Sequence, residues 1–174
     1  RDSEKLVGIL EKVGYIVELD FFMYEEVLRS LRQWQDNGMP LVPISVNFSR
    51  LHNNYPNFVD RVISLAKKYR IDSCYIEVEV TESAFASDTE QMERNMRRLR
   101  EAGFSIDIDD FGKGYSSLSL LMGSPIDVVK VDKAFVDSIE VSEKHREYIK
   151  RMCMLIQETE KEIILRALRS TQGN

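Results

Sequence analysis

The chain has 174 residues, 43% of them hydrophobic and 30% charged, which suits one packed globular domain and is short for two. A formal net charge of −5 excludes a generally basic nucleic-acid-binding surface, and two cysteines, Cys74 and Cys153, exclude a disulfide scaffold. No apolar run has the length of a membrane span and the first residues do not read as a signal peptide, so a cytoplasmic setting is expected.

In chain order, the spacing of Leu19, Phe22, Met23, Val27, Leu28 and Leu31 predicts a helix over 16–35, closed by Asn37-Gly38 and followed by Pro40. A Val- and Ile-rich strand is predicted over 41–48 and a helix over 56–69. A strictly alternating strand follows over 73–80, then a very charged helix over 89–102 that ends at Gly103. Further strands are predicted over 104–108, 128–131 and from 162 to 165, with a short helical piece over 118–122 and a long helix over 141–159. Strands alternating with helices, without hairpin signals, imply a parallel sheet, either open and doubly wound or closed as a (β/α) barrel. No G-x-G-x-x-G or P-loop favours the nucleotide-binding open sheet.

The polar residues are placed in a pattern. Asn47, Glu79, Asp109 with Asp110, and Lys130 stand at or near the carboxyl ends of four successive predicted strands. Strand alternation puts Glu77 and Glu79 on one face, and likewise Asp107 and Asp109. In a barrel these ends converge on one mouth, where barrel enzymes keep their chemistry. Carboxylates and an amide oxygen make a hard donor set suited to Mg²⁺ or Mn²⁺, and a lysine beside it can orient a water or stabilise charge on phosphate oxygens. Any one of these residues, taken alone, reads as a turn or cap residue. Four successive strands sharing the pattern carry the functional reading. Gly112 and Gly114, with Tyr115, Ser116 and Ser117 beyond them, form a loop that is either a plain connection or a device that helps to set the site.

Four segments carry a resemblance to a known family. They are Ile44-Ser45-Val46-Asn47-Phe48-Ser49; Glu79-Val80-Thr81-Glu82-Ser83; Asp109-Asp110-Phe111-Gly112-Lys113-Gly114-Tyr115-Ser116-Ser117; and Pro125 to Asp132. In this order they resemble the EAL domain family, bacterial phosphodiesterases that open cyclic di-GMP to the linear dinucleotide. Glu11 to Asp20 is similar to the family's segment before its first long helix. The resemblance implies an α/β fold, the family's modified (β/α)8 TIM barrel, incomplete in this chain. It implies Asn47, Glu79, Asp109 and Asp110 as ligands of two Mg²⁺ or Mn²⁺ ions, and Lys130 as the contact to the attacking water. Glu82 would anchor the loop that contains Gly112, Gly114, Tyr115 and Ser116, and Gln172 would lie at the active site. It also implies a homodimer, an attached GGDEF or sensor domain, and no role for a nucleic-acid polymer or for membrane contact by this segment.

The chain departs from the family at both ends. The Glu-Ala-Leu strand, whose glutamate is a metal ligand, is absent, and Ile164 leads into Leu165 to Asn174 without the expected Glu-Gly-Val-Glu stretch. Arg1 to Val7 and Leu165 to Gly173 read as pieces joined across omitted segments, or else as the ends of a truncated, degenerate domain. Two functions follow: a metal-dependent cyclic di-GMP phosphodiesterase, or an inactive domain that acts as a cyclic di-GMP receptor or protein-interaction module. Elsewhere, His52 and His145 read as surface histidines, both cysteines as buried reduced thiols, and Trp34 as helix packing. The charged run from Glu90 to Arg100 reads as a solvated helix face, and Asp107 as a hydrogen-bonded neighbour of Asp109.

Overall fold

The computed structural model describes residues 2–87, 89–112, 121–133, 143–159 and 161–165. Helix α1 spans Asp2–Val13 and α2 Ile16–Asp36; strand β1 (Ile44–Asn47) is followed by α3 (Phe58–Tyr69) and β2 (Ile76–Thr81). Helices α4 (Glu82–Ser87) and α5 (Thr89–Glu101) lead to β3 (Ser105–Phe111), β4 (Val128–Val131), α6 (Glu143–Gln157) and β5 (Glu162–Leu165). All strand pairs are parallel, and the spatial order β1-β2-β3-β4-β5 is the chain order. A doubly wound sheet reverses its strand order at a switch point; an order that never reverses is that of barrel staves.

The sheet has two chemically distinct faces. Val46, Ile76, Val78, Val80, Ile106, Ile108, Val129 and Val131 are buried in one apolar cluster with helix residues. Helix α2 contributes Phe21, Tyr24, Leu28 and Leu31, α3 contributes Val59, Val62 and Ala66, and α5 contributes Met92, Met96 and Leu99. These positions recur every three or four residues, which is why each helix presents a single stripe to the sheet. The alternate strand positions, Ser45, Asn47, Glu77, Glu79, Thr81, Ser105, Asp107, Asp109 and Lys130, form the polar face. Within the apolar cluster, the Tyr24 hydroxyl donates to the Val62 carbonyl at 3.2 Å, and burial pushes its ionisation well above the ordinary tyrosine value.

The predicted helices over 16–35, 56–69 and 89–102 and the strand over 128–131 are present with small shifts of their ends. The first strand starts at Ile44, because Pro43 has no N–H to give to the ladder. Residues Ser73–Tyr75 form a 3-10 turn rather than strand, capped by the Asp72 carboxylate, which accepts from Cys74 N–H at 3.1 Å. That turn exposes Cys74, and Cys153 is only half-buried; both are free thiols, so the expectation of two buried cysteines is corrected. Two helices were not expected. Helix α1 runs unbroken across Val7–Gly8, and α4 starts directly after β2, where the Thr81 hydroxyl accepts from Ala84 N–H at 3.2 Å as an N-cap. Strand β3 runs to Phe111, three residues past its predicted end. Residues 118–120 and 141–142 of the predicted helices lie outside the described residues. Among the described residues no helix is long and apolar enough to cross a membrane.

Leu28 is fully buried at the centre of the α2 stripe, whereas Leu19 lies on the exposed side of the same helix. Leu28→Ala is expected to lower folding stability by about 2–5 kcal/mol in urea denaturation, and Leu19→Ala by less than about 0.5 kcal/mol. Equal effects would contradict this assignment of the buried stripe.

Candidate active site

Parallel register aligns the polar face into rows. Ser45 is level with Glu77 and Ser105, Asn47 with Glu79 and Asp107, and Thr81 with Asp109. Lys130 projects from β4 into these rows. Its Nζ lies 2.7 Å from Glu79 Oε2 and 2.7 Å from Asp107 Oδ2, and it donates to Ser45 Oγ at 2.7 Å. Ser45 in turn donates to the Glu77 carboxylate. One ammonium, 8% exposed, thus ties residues from all of the first four strands.

Electrostatics follow from that packing. Burial alone pulls the Lys130 ammonium down, but hydrogen bonds and charge from Asp107 and Glu79 outweigh it and hold the lysine above its ordinary value. Burial pushes the Asp107 carboxyl up to about 6; Lys130 opposes this and Glu77 adds to it. Lys130 is therefore a fixed positive charge rather than a proton acceptor.

A bulge shapes the rim beside it. Ile108 pairs with Val129 and Phe111 with Val131, so Asp109 and Asp110 together stand opposite the single residue Lys130. Asp110 takes φ 56°, a left-handed conformation that aspartate tolerates better than most residues. Asp109 stays buried, Asp110 is half-buried, and Phe111 returns to the apolar face. Gly112 follows at φ 103°, and its N–H donates to Glu82 Oε2 at 3.2 Å. Glu82 is buried in the first turn of α4, which the Thr81 cap fixes directly after β2. Gly114, Tyr115, Ser116 and Gln172 lie outside the described residues.

The oxygen donors of Asn47, Glu79, Asp109 and Asp110 share one rim and have the chemistry a hard divalent cation prefers. The Glu79 carboxylate is engaged by Lys130, and among the described residues no three Asp, Glu, His or Cys side chains form a group able to hold a metal ion. A cleft of about 510 Å³ opens beside Asn47, lined in part by Glu11, Asp20, Ser49, Arg50 and Thr81. A second cavity of about 680 Å³ lies near the amino ends of β4 and β5, where Arg97, Arg100, Asp127 and Lys161 line it, away from the strand ends that carry the acids.

The reading of His52 as a surface histidine is also corrected. His52 is 1% exposed, not superficial, because the turn after β1 folds it into a slot between Phe21, Phe48 and Phe58. Its Nε2 meets Asp20 Oδ2 at 2.9 Å. The available signal was Asp20 itself, a carboxylate standing beside Phe21 on the inward stripe of α2.

Residues 2–171 match the EAL domain family. The chain belongs to that family. It is 30% identical over 169 residues to the cyclic di-GMP phosphodiesterase NbdA of Pseudomonas aeruginosa, covering 97% of this chain and 22% of the relative. It is 32% identical over 144 residues to the signaling protein YkoW of Bacillus subtilis, covering 83% and 18% respectively. The chain therefore spans less than a quarter of the length of these curated relatives. Among solved structures, a MucR phosphodiesterase in complex with c-di-GMP superposes with a TM-score of 0.87 at 27% identity, over 97% of this chain and 68% of that one. The FimX EAL domain superposes with a TM-score of 0.88 at 16% identity, over 96% and 66%, a likeness of fold alone. The parallel α/β fold is that of EAL barrel domains.

Lys130→Met leaves Glu79 and Asp107 buried without their shared cation. It is expected to cost about 3–5 kcal/mol of stability at pH 7. The Asp107 carboxyl, already at about 6 in the parent, sits above its unfolded value. Its contribution to stability is therefore complete below about pH 4 and fades as the pH rises through the folded value. Acidification should accordingly shrink the deficit of the variant. Urea midpoints at pH 5 and pH 7 measure both effects, and a variant as stable as the parent at pH 7 would contradict the ion-paired arrangement.

Proposed function

We propose that this chain is a cyclic di-GMP phosphodiesterase domain that hydrolyses the cyclic dinucleotide to linear pGpG. The observation that carries the reading is the rim itself. A permanently charged Lys130 is held by Glu79 and Asp107, and Asn47, Asp109 and Asp110 lie at the ends of neighbouring strands. Family membership and likeness to a phosphodiesterase in complex with c-di-GMP support the choice of substrate.

In this reading the reaction forms one P–O bond to water and breaks the bond to a ribose 3′-oxygen, which takes up a proton. Asn47, Glu79, Asp109 and Asp110 would hold Mg²⁺ or Mn²⁺, which supplies Lewis-acid charge at the phosphate and lowers the pKa of a water. Lys130 donates to the attacking water or to a phosphate oxygen, and its positive charge is worth most where negative charge develops. Glu79 and Asp107 keep that ammonium protonated and aimed. Glu82 fixes the start of the loop after the bulge through Gly112. We further propose that the chain forms a single EAL domain, works in the cytoplasm as a homodimer, and belongs to a longer protein with a GGDEF or sensor domain.

A second reading rests on the same rim. The engagement of Glu79 by Lys130, with no group of three metal-capable side chains among the described residues, favours a module that holds cyclic di-GMP without cutting it.

Incubation of the purified protein with cyclic di-GMP and Mg²⁺ or Mn²⁺ distinguishes the two. The phosphodiesterase reading expects pGpG to appear with metal, to vanish with chelator, and to fall about 100-fold or more in Lys130→Ala. Binding by calorimetry without turnover selects the receptor. Neither turnover nor binding overturns both.

A further inference from the structure

We infer that Asp20 and His52 form a clamp that positions Asn47 for the chemistry at the rim; the inference rests on the phosphodiesterase reading above. Asn47 is the last residue of β1, which is paired with β2 and has no second neighbour among the described strands. Its face is given by the register with Glu79, and on its open side the strand end is held only by the turn that follows. Phe48 N–H donates to the Glu79 carbonyl at 2.9 Å, which fixes one side of the turn. The other side is fixed from the helices. Ser49 N–H donates to Asp20 Oδ2 at 2.9 Å, and Ser49 Oγ donates to Glu11 Oε1 of α1 at 2.7 Å. A backbone amide two residues from Asn47 is thus held by one oxygen of a carboxylate on α2.

His52 in turn holds that carboxylate. His52 Nε2 meets the same oxygen that accepts from Ser49 and, facing a carboxylate, donates to it. Among the described residues Nδ1 has no hydrogen-bond partner, although it is buried. The ring centroids of Phe21, Phe48 and Phe58 stand 4.9–5.2 Å away and make an apolar slot that a phenyl ring would suit better. A histidine in that slot, with one nitrogen unsatisfied, is explained by the one thing a phenyl ring cannot do, which is to donate to Asp20. His52 and Asp20 do not reach the rim acids themselves. They are positioning residues, acting through Ser49 and the backbone of the β1 turn.

Two substitutions separate this role from packing. His52→Phe fills the slot and removes the donor, whereas His52→Gln fits the slot worse but returns an N–H near the Nε2 position. The clamp expects kcat for cyclic di-GMP in the order parent, Gln, Phe, with the Phe variant down about 10–100-fold and its KM near the parent value. Its thermal midpoint should stay at or above that of the parent. A Phe variant as active as the parent, or more active than the Gln variant, overturns the positioning role. A measurement on the parent stands beside these should a variant fail to fold: hydrogen exchange at the Ser49 amide. The clamp expects slow exchange there despite its place in a rim turn, and exchange at the rate of an open loop overturns it. A parent that neither cuts nor binds cyclic di-GMP would instead remove the functional reading, and the positioning role with it.

Discussion

The arrangement depends on one buried ammonium. The polar face of this sheet carries Glu77, Glu79, Asp107 and Asp109 on adjacent strands, close enough that their charges repel. Lys130 offsets that repulsion from β4, and its contacts to Ser45, Glu79 and Asp107 cross from β1 to β3. Desolvating a lone lysine would be prohibitive, and desolvating the acids alone equally so; each makes the burial of the other tolerable. The polar face is thus held together by charge, while the opposite face is held by apolar area. The two faces alternate residue by residue along the same strands.

Helix α2 links these two regimes. Its inward stripe packs Phe21, Tyr24, Leu28 and Leu31 into the core, and the same stripe includes Asp20 at its amino-terminal end. A helix whose register is locked by buried leucines presents that carboxylate at a fixed height beside the turn after β1. Core packing and rim geometry are therefore not independent. Arg61, stacked over the Phe21 ring at 3.7 Å, adds a cover to the same aromatic group from the outer side.

Much of this was readable in the chain, and the reasons differ by element. Helices α2, α3 and α5 were legible as helices because periodicity and end signals are local, but the buried side of α2 was read only in part: Leu28 and Leu31 are buried, whereas Leu19, Phe22 and Met23 lie exposed and Phe21 and Tyr24 take the inward places. The rim residues Asn47, Glu79, Asp109 and Lys130 were legible because strand alternation places them at predictable positions. The burial of His52 was not, because its three aromatic neighbours come from α2, β1's turn and α3, and no local window contains them. Helix α4 was hidden by its brevity, six residues following a strand without a break. The end of β3 was missed because alternation fails there: two consecutive aspartates cannot both obey a period of two.

That failure has a consequence for the sheet as a whole. With one residue more than its partner between Ile108 and Phe111, β3 changes phase relative to β4. The odd-numbered side chains of β3 before the bulge face the acids, yet Phe111 joins Val131 in the core. The bulge works like a joint in a rail: Ile108 before it and Phe111 beyond it are each paired with β4, and the two aspartates between them take up the extra residue. The alignment of Asp107 with Glu79 and Lys130 is thus set on one side of the joint and the place of Phe111 on the other. Removing one of the two aspartates would remove the joint and carry Phe111 onto the polar side.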